Sequence, residues 1–409
     1  MKIKNILIVI LVSVLVSVSV WEGYRMMLDM QQKKERYEAD LFTLLPAGPK
    51  ALIYFHDVRT FFANSFMKKA GAAMWDGVLD GLIVNEALLS LYSEGKILYI
   101  KTDKKRMDEL IAPLKSDFEA YTINENGTDI HIITLTDNRF FCYFYHRGVW
   151  IGSLRKQLIS RVISSISVGY SLTKEPLFAS ALKGLGQKVT ANIVINTDSI
   201  GYFKDPANPD EYIHPVKKWV GCDLYEADNK IWISGLIGED FIDEKDENPV
   251  LSSDLVPTNS YLIYRPYSGG RFDVWFHNTD VVEIGGWVTL EPVELYGAEV
   301  DRATGDVYRD YHVSADSSAT VNAFVTSLKQ DSLTNTQYQD LLSGFNETSG
   351  CGFEADMARL FACSERSNAL FLPEWIREQR ELFSPFHLSY YAYIEDSKSL
   401  FSLVFSPKE

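Results

Sequence analysis

Between residues 119 and 153 the chain passes through four short stretches rich in β-branched and aromatic residues, at 119–124, 129–136, 140–145 and 149–153. Asn126-Gly127, Asp137-Asn138 and Arg147-Gly148 separate them. Turn residues at such close intervals leave no length for helices and no room for crossover connections, so this part must fold as an antiparallel meander. An amphipathic helix is expected before it, at 104–114, and another after it, at 157–166. Helices packed on one face of an antiparallel sheet make an α+β layout.

A second pass of the same kind follows. A strand is expected at 189–195, a loop carrying Pro206, Pro209 and Pro215 at 204–218, and a hairpin at 219–226 and 230–237. An acidic linker occupies 239–250. Beyond it come strands at 260–265 and 271–276 around Ser268-Gly269-Gly270, and a further pair at 293–300 and 306–313 around Gly305. Then follow a helix at 319–329, a polar loop at 331–352, a helix at 373–382 with Pro373 at its first position, and a closing hairpin at 387–394 and 399–405. Near the start, strands at 51–56 and 96–101 flank helical material from 58 to about 93. Leu52-Ile53-Tyr54 returns as Leu262-Ile263-Tyr264, each a few residues after Leu45-Pro46 or Val256-Pro257. This echo suggests two related lobes, 45–250 and 251–409.

The N-terminus reads differently. Lys2 and Lys4 precede an uninterrupted apolar run over 6–21. As a helix this run spans about 24 Å, slightly short of a ~30 Å hydrocarbon core, with Trp21, Tyr24 and Arg25 able to extend it. The expectation is an uncleaved transmembrane anchor at 1–21, its lysines cytoplasmic, followed by a helical stalk at 22–44 that ends at Pro46 and Pro49. The alternative is a cleaved signal peptide, with Ser17 and Ser19 before the cut and a secreted product. Either reading places the body outside the cytoplasm, in the periplasm for the anchored form. The full expected fold class is therefore α+β, an N-terminal transmembrane helix followed by two lobes of mainly antiparallel sheet with helices packed on one face.

Charge narrows the function classes. The chain carries a net −15 at pH 7. Residues 1–36 hold six basic and three acidic side chains, so the remainder carries −18. A body this acidic is a poor match for a phosphate backbone, and no nucleic-acid partner is expected. With hydrophobic residues at 46% and charged ones at 23%, the composition is that of a folded protein and not a disordered one.

No Walker, dinucleotide-binding, H-E-x-x-H, C-x-x-C or G-x-S-x-G motif occurs, which removes the common enzymatic and metal templates; no cofactor is expected. Ser-x-x-Lys appears at Ser65/Lys68, Ser153/Lys156, Ser171/Lys174 and Ser180/Lys183, without the companion elements that make it catalytic. His56-Asp57 at a strand end is the best candidate base, set against an ordinary structural cap. His131 and His146 are candidate cross-strand neighbours, but two ligands alone do not make a metal site. The acidic run Asp240, Asp243, Glu244, Asp246 and Glu247 lacks the spacing of a calcium loop and reads as a solvated linker. Cys142 and Cys222 fall in strand patterns as small buried groups. Cys351 and Cys363 flank a short segment and are the candidate disulfide, worth about 3 kcal/mol if formed.

The anchor, the Leu45-Pro46-Ala47 opening before the first strand, and the Pro373-Glu374-Trp375 helix followed by a hairpin together resemble an uncharacterised family of exported, membrane-anchored bacterial proteins of unknown function. The resemblance implies an envelope location and an α+β body. It supplies no activity and no site residues. From the residues, the leading expectation is a non-catalytic, membrane-tethered binding or scaffold protein that holds another envelope protein or a polymer. The alternative is a glycan or small-molecule binder that stacks ligands on exposed aromatics such as Trp275, Trp287 and Tyr296, against which stands a plain aromatic core. A hydrolase with an unfamiliar site is the third.

Overall fold

The structure, a computed structural model, describes residues 21–58 (apart from 23, 29, 32 and 35–37), 86–135, 139–214, 216–238, 251, 255–266, 270–277, 286–292, 305–309, 311–330, 350–363, 369–395 and 398–408. Two expectations are corrected at once. Among the described residues no helix is long and apolar enough to cross a membrane. The run at 6–20 lies outside them, and the helical residues between 21 and 38 are too polar. The single-pass membrane placement, with its transmembrane helix, is corrected on that ground, while the cleaved-signal alternative falls on residues outside those described. The two-lobed layout gives way as well, because the eighteen described strands belong to one antiparallel sheet with some helices. By compactness the chain divides into two units, Met1–Glu175 and Pro176–Glu409.

In the first unit the strands are β1 (Ala51–Phe55), β2 (Ala87–Tyr92), β3 (Gly95–Lys101), β4 (Ala120–Glu125), β5 (Thr128–Thr134), β6 (Phe140–His146) and β7 (Val149–Ser153). Their pairings give the order β4-β5-β6-β7-β3-β2-β1, antiparallel throughout. The hairpin turns sit where the left-handed residues do, at Asn126-Gly127 and Arg147-Gly148. That backbone twist matches the twist of the strands, which is why such pairs end hairpins. Helix α1 (Lys104–Asp117) starts where Asp103 accepts the N–H of Arg106 at 2.8 Å. Helix α2 (Lys156–Ser167) buries Leu158, Ile159, Val162 and Ile163 against β3, β6 and β7.

Strand β2 is a correction, since 58–93 is expected to be helical. Residues 59–85 lie outside the described residues, but Ala87–Tyr92 is a strand held between β1 and β3. Its run of Ala and Leu favours a helix locally; pairing on both edges and burial on both faces override that preference.

The second unit contains β8 (Ala191–Asn196), β9 (Trp219–Ala227), β10 (Lys230–Gly238), β11 (Ser260–Arg265), β12 (Phe272–Phe276), β13 (Gly286–Pro292), β14 (Gly305–Tyr308), β15 (Tyr311–Ser314), β16 (Gly352–Asp356), β17 (Phe386–Glu395) and β18 (Lys398–Pro407). Their order is β8-β9-β10-β18-β17-β16-β11-β12-β13-β15-β14. The hairpin of β9 and β10, expected to close a first lobe, instead pairs with the C-terminal hairpin. Helix α3 (Pro176–Lys183) lies on β9, where a Cβ at Gly221 would meet the carbonyl oxygen of Ala181 at 2.4 Å.

Other differences are local. The stretch expected as one strand at 306–313 is the tight hairpin β14–β15, turning at Arg309, whose φ is +55°. Strands β13 and β16 are additional to the expectation, while 239–250, 293–300 and 331–349 lie outside the described residues. The helix expected over 373–382 is two short pieces that meet at Gln379, with Pro373 capping the first instead of opening it.

One face of β11, β12, β13 and β15 is apolar. Ile263, Phe272, Val274, Phe276, Val288, Leu290 and Val313 pack there with Val321, Phe324 and Leu328. The last three come from helix α4 (Ser318–Gln330). Because side chains alternate along a strand, this core fixes which residues occupy the opposite face.

Candidate functional site

That opposite face is the candidate site. Residues 271–276 read Arg-Phe-Asp-Val-Trp-Phe, so with Phe272, Val274 and Phe276 turned to the core, Asp273 and Trp275 point the other way. On β13 the same alternation sets out Trp287, Thr289 and Glu291. The register then assembles rows. Trp275 pairs with Trp287, and Asp273 pairs with Thr289 on one side and Tyr264 on the other. Thr289 pairs onward with Ser314, and Glu291 with His312.

The two indoles stack with ring centroids 5.8 Å apart and planes 19° apart. Trp275 is buried, while Trp287 keeps 40% of its surface exposed. One row along, Thr289 Oγ1 donates to Asp273 Oδ1 at 2.7 Å. Asp273 is fully buried, and among the described residues its Oδ2 accepts no hydrogen bond; Arg271 Nε stands 3.8 Å away. Burial pushes the Asp273 carboxyl above the usual carboxylate range, with the Thr289 hydroxyl and the Arg271 charge pulling against it. Both ring nitrogens of His312, on the next row, are buried without a hydrogen-bond partner among the described residues. Tyr264 OH donates to Asp205 Oδ2 at 2.8 Å, and Asp205 Oδ1 takes the N–H groups of Ala207 and Asn208 at 2.7 and 3.2 Å.

The arrangement has a chemical character. An exposed indole offers a flat apolar surface. A partly exposed guanidinium lies about 13 Å further along the same face, by four residues of strand rise. Between them sit a carboxyl and a hydroxyl, with hydrogen-bonding capacity left over in the row. Flat aromatic contact beside a few placed polar groups is the composition of a small-ligand site.

The other sequence candidates separate. Trp275 and Trp287 come together, whereas Tyr296 lies outside the described residues. His56 packs edge-on against Tyr54 at the end of β1, with centroids 4.8 Å apart. His131 pairs across the sheet with Thr122 and Tyr143, not with His146, which corrects the expected histidine pair. Its Nδ1 lies 3.0 Å from Thr122 Oγ1 and its ring stacks on Tyr143. Burial lowers its pKa, helped by Lys115 and Lys104.

In the Ser-x-x-Lys pairs Ser153 donates to Lys96 O and Lys156 bridges to Glu125, while Ser171 is hydrogen-bonded to Thr173 and Lys174 donates to Gly169 O. Ser65/Lys68 and the acidic run at 240–247 lie outside the described residues. Among the described residues no group of three His, Cys, Asp or Glu is placed to hold a metal ion. Cys351 is a free, buried thiol whose Sγ lies 3.8 Å from Ile213 O, so it does not make the expected bond to Cys363. Burial pushes that thiol up to about 12. Asp273, Thr289, Arg271 and His312 escape the sequence reading, although the two-residue alternation through 271–275 and 287–291 is the signal that gathers most of them.

No family model matches the chain, and no curated protein matches it. Among solved structures, crystal forms I and IV of TP0453 resemble it with TM-scores of 0.31 and 0.30 and identities of 11% and 10%. They cover 71% and 72% of this chain and 98% of TP0453 in both cases. A likeness at that TM-score assigns nothing to this chain.

Proposed function

We propose that this chain is a non-catalytic binding protein and that the face of β12, β13 and β15 takes a polyhydroxylated ligand of the glycan class. The observation that carries the reading is Trp287, exposed and stacked on buried Trp275, one row from the buried Asp273 with its unsatisfied oxygen. A sugar ring presents an apolar C–H face that suits an indole, and hydroxyls at its edge that suit the partly exposed Arg271, whose guanidinium lies beside the buried Asp273–Thr289 pair. The same features favour ligand binding over a scaffold role resting on the acidic body alone, because net charge by itself selects no partner.

The test is a titration of tryptophan fluorescence and heat with four defined probes: the tetrasaccharides of cellulose, chitin, laminarin and polygalacturonate. At least one is expected to bind, with Trp287→Ala weakening it by about tenfold or more and Trp287→Phe retaining most of the affinity. Trp287 is exposed, so both variants should keep the fold. Silence from all four probes at about 10 mM, or a Trp287→Ala protein that binds like the parent, would remove the reading.

A further inference from the structure

We infer that β4 is a docking edge, built to accept an extended segment of another protein as an added strand. Among the described strands β4 pairs only with β5, through a two-residue turn that sets Glu125 against Thr128. In such a hairpin the residues flanking the turn form the hydrogen-bonded pair, and the pattern then alternates. The N–H of Thr134 donating to Glu119 O at 2.9 Å confirms the phase. Glu125, Ile123 and Tyr121 therefore direct their N–H and C=O groups to β5, while those of Ala120, Thr122 and Asn124 point outward. Among the described residues none of these three makes a backbone hydrogen bond outside the β4–β5 ladder. All three are exposed, and Tyr121 beside them is 45% exposed.

Natural edges are blunted by proline, an inward charge, lysine or a bulge. Strand β4 has none of these: it reads Ala-Tyr-Thr-Ile-Asn-Glu and its register is unbroken. Three outward donor–acceptor pairs at alternate residues are complementary to an extended backbone and to little else. The local charge selects the partner. Glu119 and Glu125 close the strand at its two ends, Glu125 with Lys156 3.5 Å from its carboxylate and Glu119 exposed, and Asp129 is hydrogen-bonded to Asn124 at 2.7 Å. A second copy pairing antiparallel about Thr122 would set Glu119 opposite Glu125, in a chain whose net charge is −15. The occupant is instead a foreign segment with basic residues on either side of alternating β-branched ones, whose side chains would lie against Tyr121 and Ile123.

The probe is the capped peptide Lys-Thr-Val-Thr-Val-Thr-Lys, labelled and titrated into the full chain. It is compared with the same peptide carrying aspartate at both ends, and with one N-methylated at alternate backbone nitrogens. Expected results are saturable binding of the lysine peptide, a loss of at least about tenfold for each altered peptide, and slowed amide exchange at Ala120, Thr122 and Asn124 but not at Tyr121 or Ile123. Thr122→Pro, which removes an outward N–H and no internal one, should abolish binding and leave exchange in β5–β7 unchanged. Equal binding of the N-methylated peptide overturns the inference without relying on that variant to fold. So does the absence of peptide binding, and so does self-association through β4 in sedimentation.

Discussion

Tyr390→Ala is expected to destabilise the second unit by about 4 kcal/mol, while Tyr390→Phe costs roughly 1 kcal/mol. Tyr390 is fully buried in the middle of β17, paired with Phe353 on one side and Leu403 on the other. Its ring stacks on Phe353, with centroids 5.6 Å apart, and on Phe401 at 5.9 Å, and it meets Phe203 at 4.9 Å. Truncation removes the common surface of four rings, and sheet strands fixed by their own ladders cannot collapse into the gap. The hydroxyl adds a second term. It lies 3.0 Å from Tyr202 OH and is hydrogen-bonded to His214 Nε2, so phenylalanine keeps the packing and leaves those two groups short of one partner. Urea denaturation followed by hydrogen exchange in β16–β18 separates the two terms. Equal losses for the two variants would mean that the hydroxyl network, and not ring packing, holds this face together.

The same region shows why some of this fold is legible in the sequence and some is not. The hairpins of the first unit follow from adjacent pairs of turn residues, Asn126-Gly127 and Arg147-Gly148, flanked by alternating β-formers, so all the information is local. Helix α2 is equally plain because Leu158, Ile159, Val162 and Ile163 repeat at helical spacing. Strand β16 fails the same test. Gly-Phe-Glu-Ala-Asp begins at the end of the expected loop and carries no strand expectation, because two carboxylates look like solvent-facing residues, yet all five residues are buried. What buries them comes from far along the chain: β11 on one edge and β17 on the other. Strand β2 reads as helix for the complementary reason, since leucine and alanine carry no mark of the strands that will pair with them.

The candidate site divides along the same line. Trp275 and Trp287 stand out by residue type alone. Asp273 and Thr289 become a pair only once β12 and β13 are in register, and that register rests on the apolar partners Phe272, Val274, Val288 and Leu290 on the other face. The membrane anchor is a different kind of error. A run of apolar residues is a statement about local hydropathy, and among the described residues no helix of spanning length and apolarity accompanies it.

Glu354, at the centre of β16, gives the chain an unusual dependence on pH, and stability above the ordinary glutamate range should fall as pH rises. The residue is 2% exposed, with Ser389 Oγ donating to one carboxylate oxygen at 2.5 Å and Tyr391 OH donating to the other. Burial pushes its carboxyl well above the usual range, and the Ser389 bond and the distant Lys230 charge only partly restrain it. The sign follows from proton counting. Between the unfolded pKa near 4.5 and the higher folded value, the native state holds a proton that the unfolded chain has lost. Its stabilisation is complete below the unfolded pKa and is lost toward the folded one, at up to about 1.4 kcal/mol per pH unit.

Asp356, two residues on, works in the opposite direction. Burial alone would raise its carboxyl, but the Arg359 N–H and Lys408 hold it below the usual range, so its contribution disappears only as pH falls. Glu354→Gln keeps the shape and two hydrogen-bonding atoms and removes the ionisation. The variant should match the parent near pH 4, where both are neutral, and exceed it in urea midpoint by a margin that widens toward pH 8. Parallel stability curves for the two proteins across that range would show that Glu354 is ionised in the fold, with Ser389 and Tyr391 together outweighing its burial.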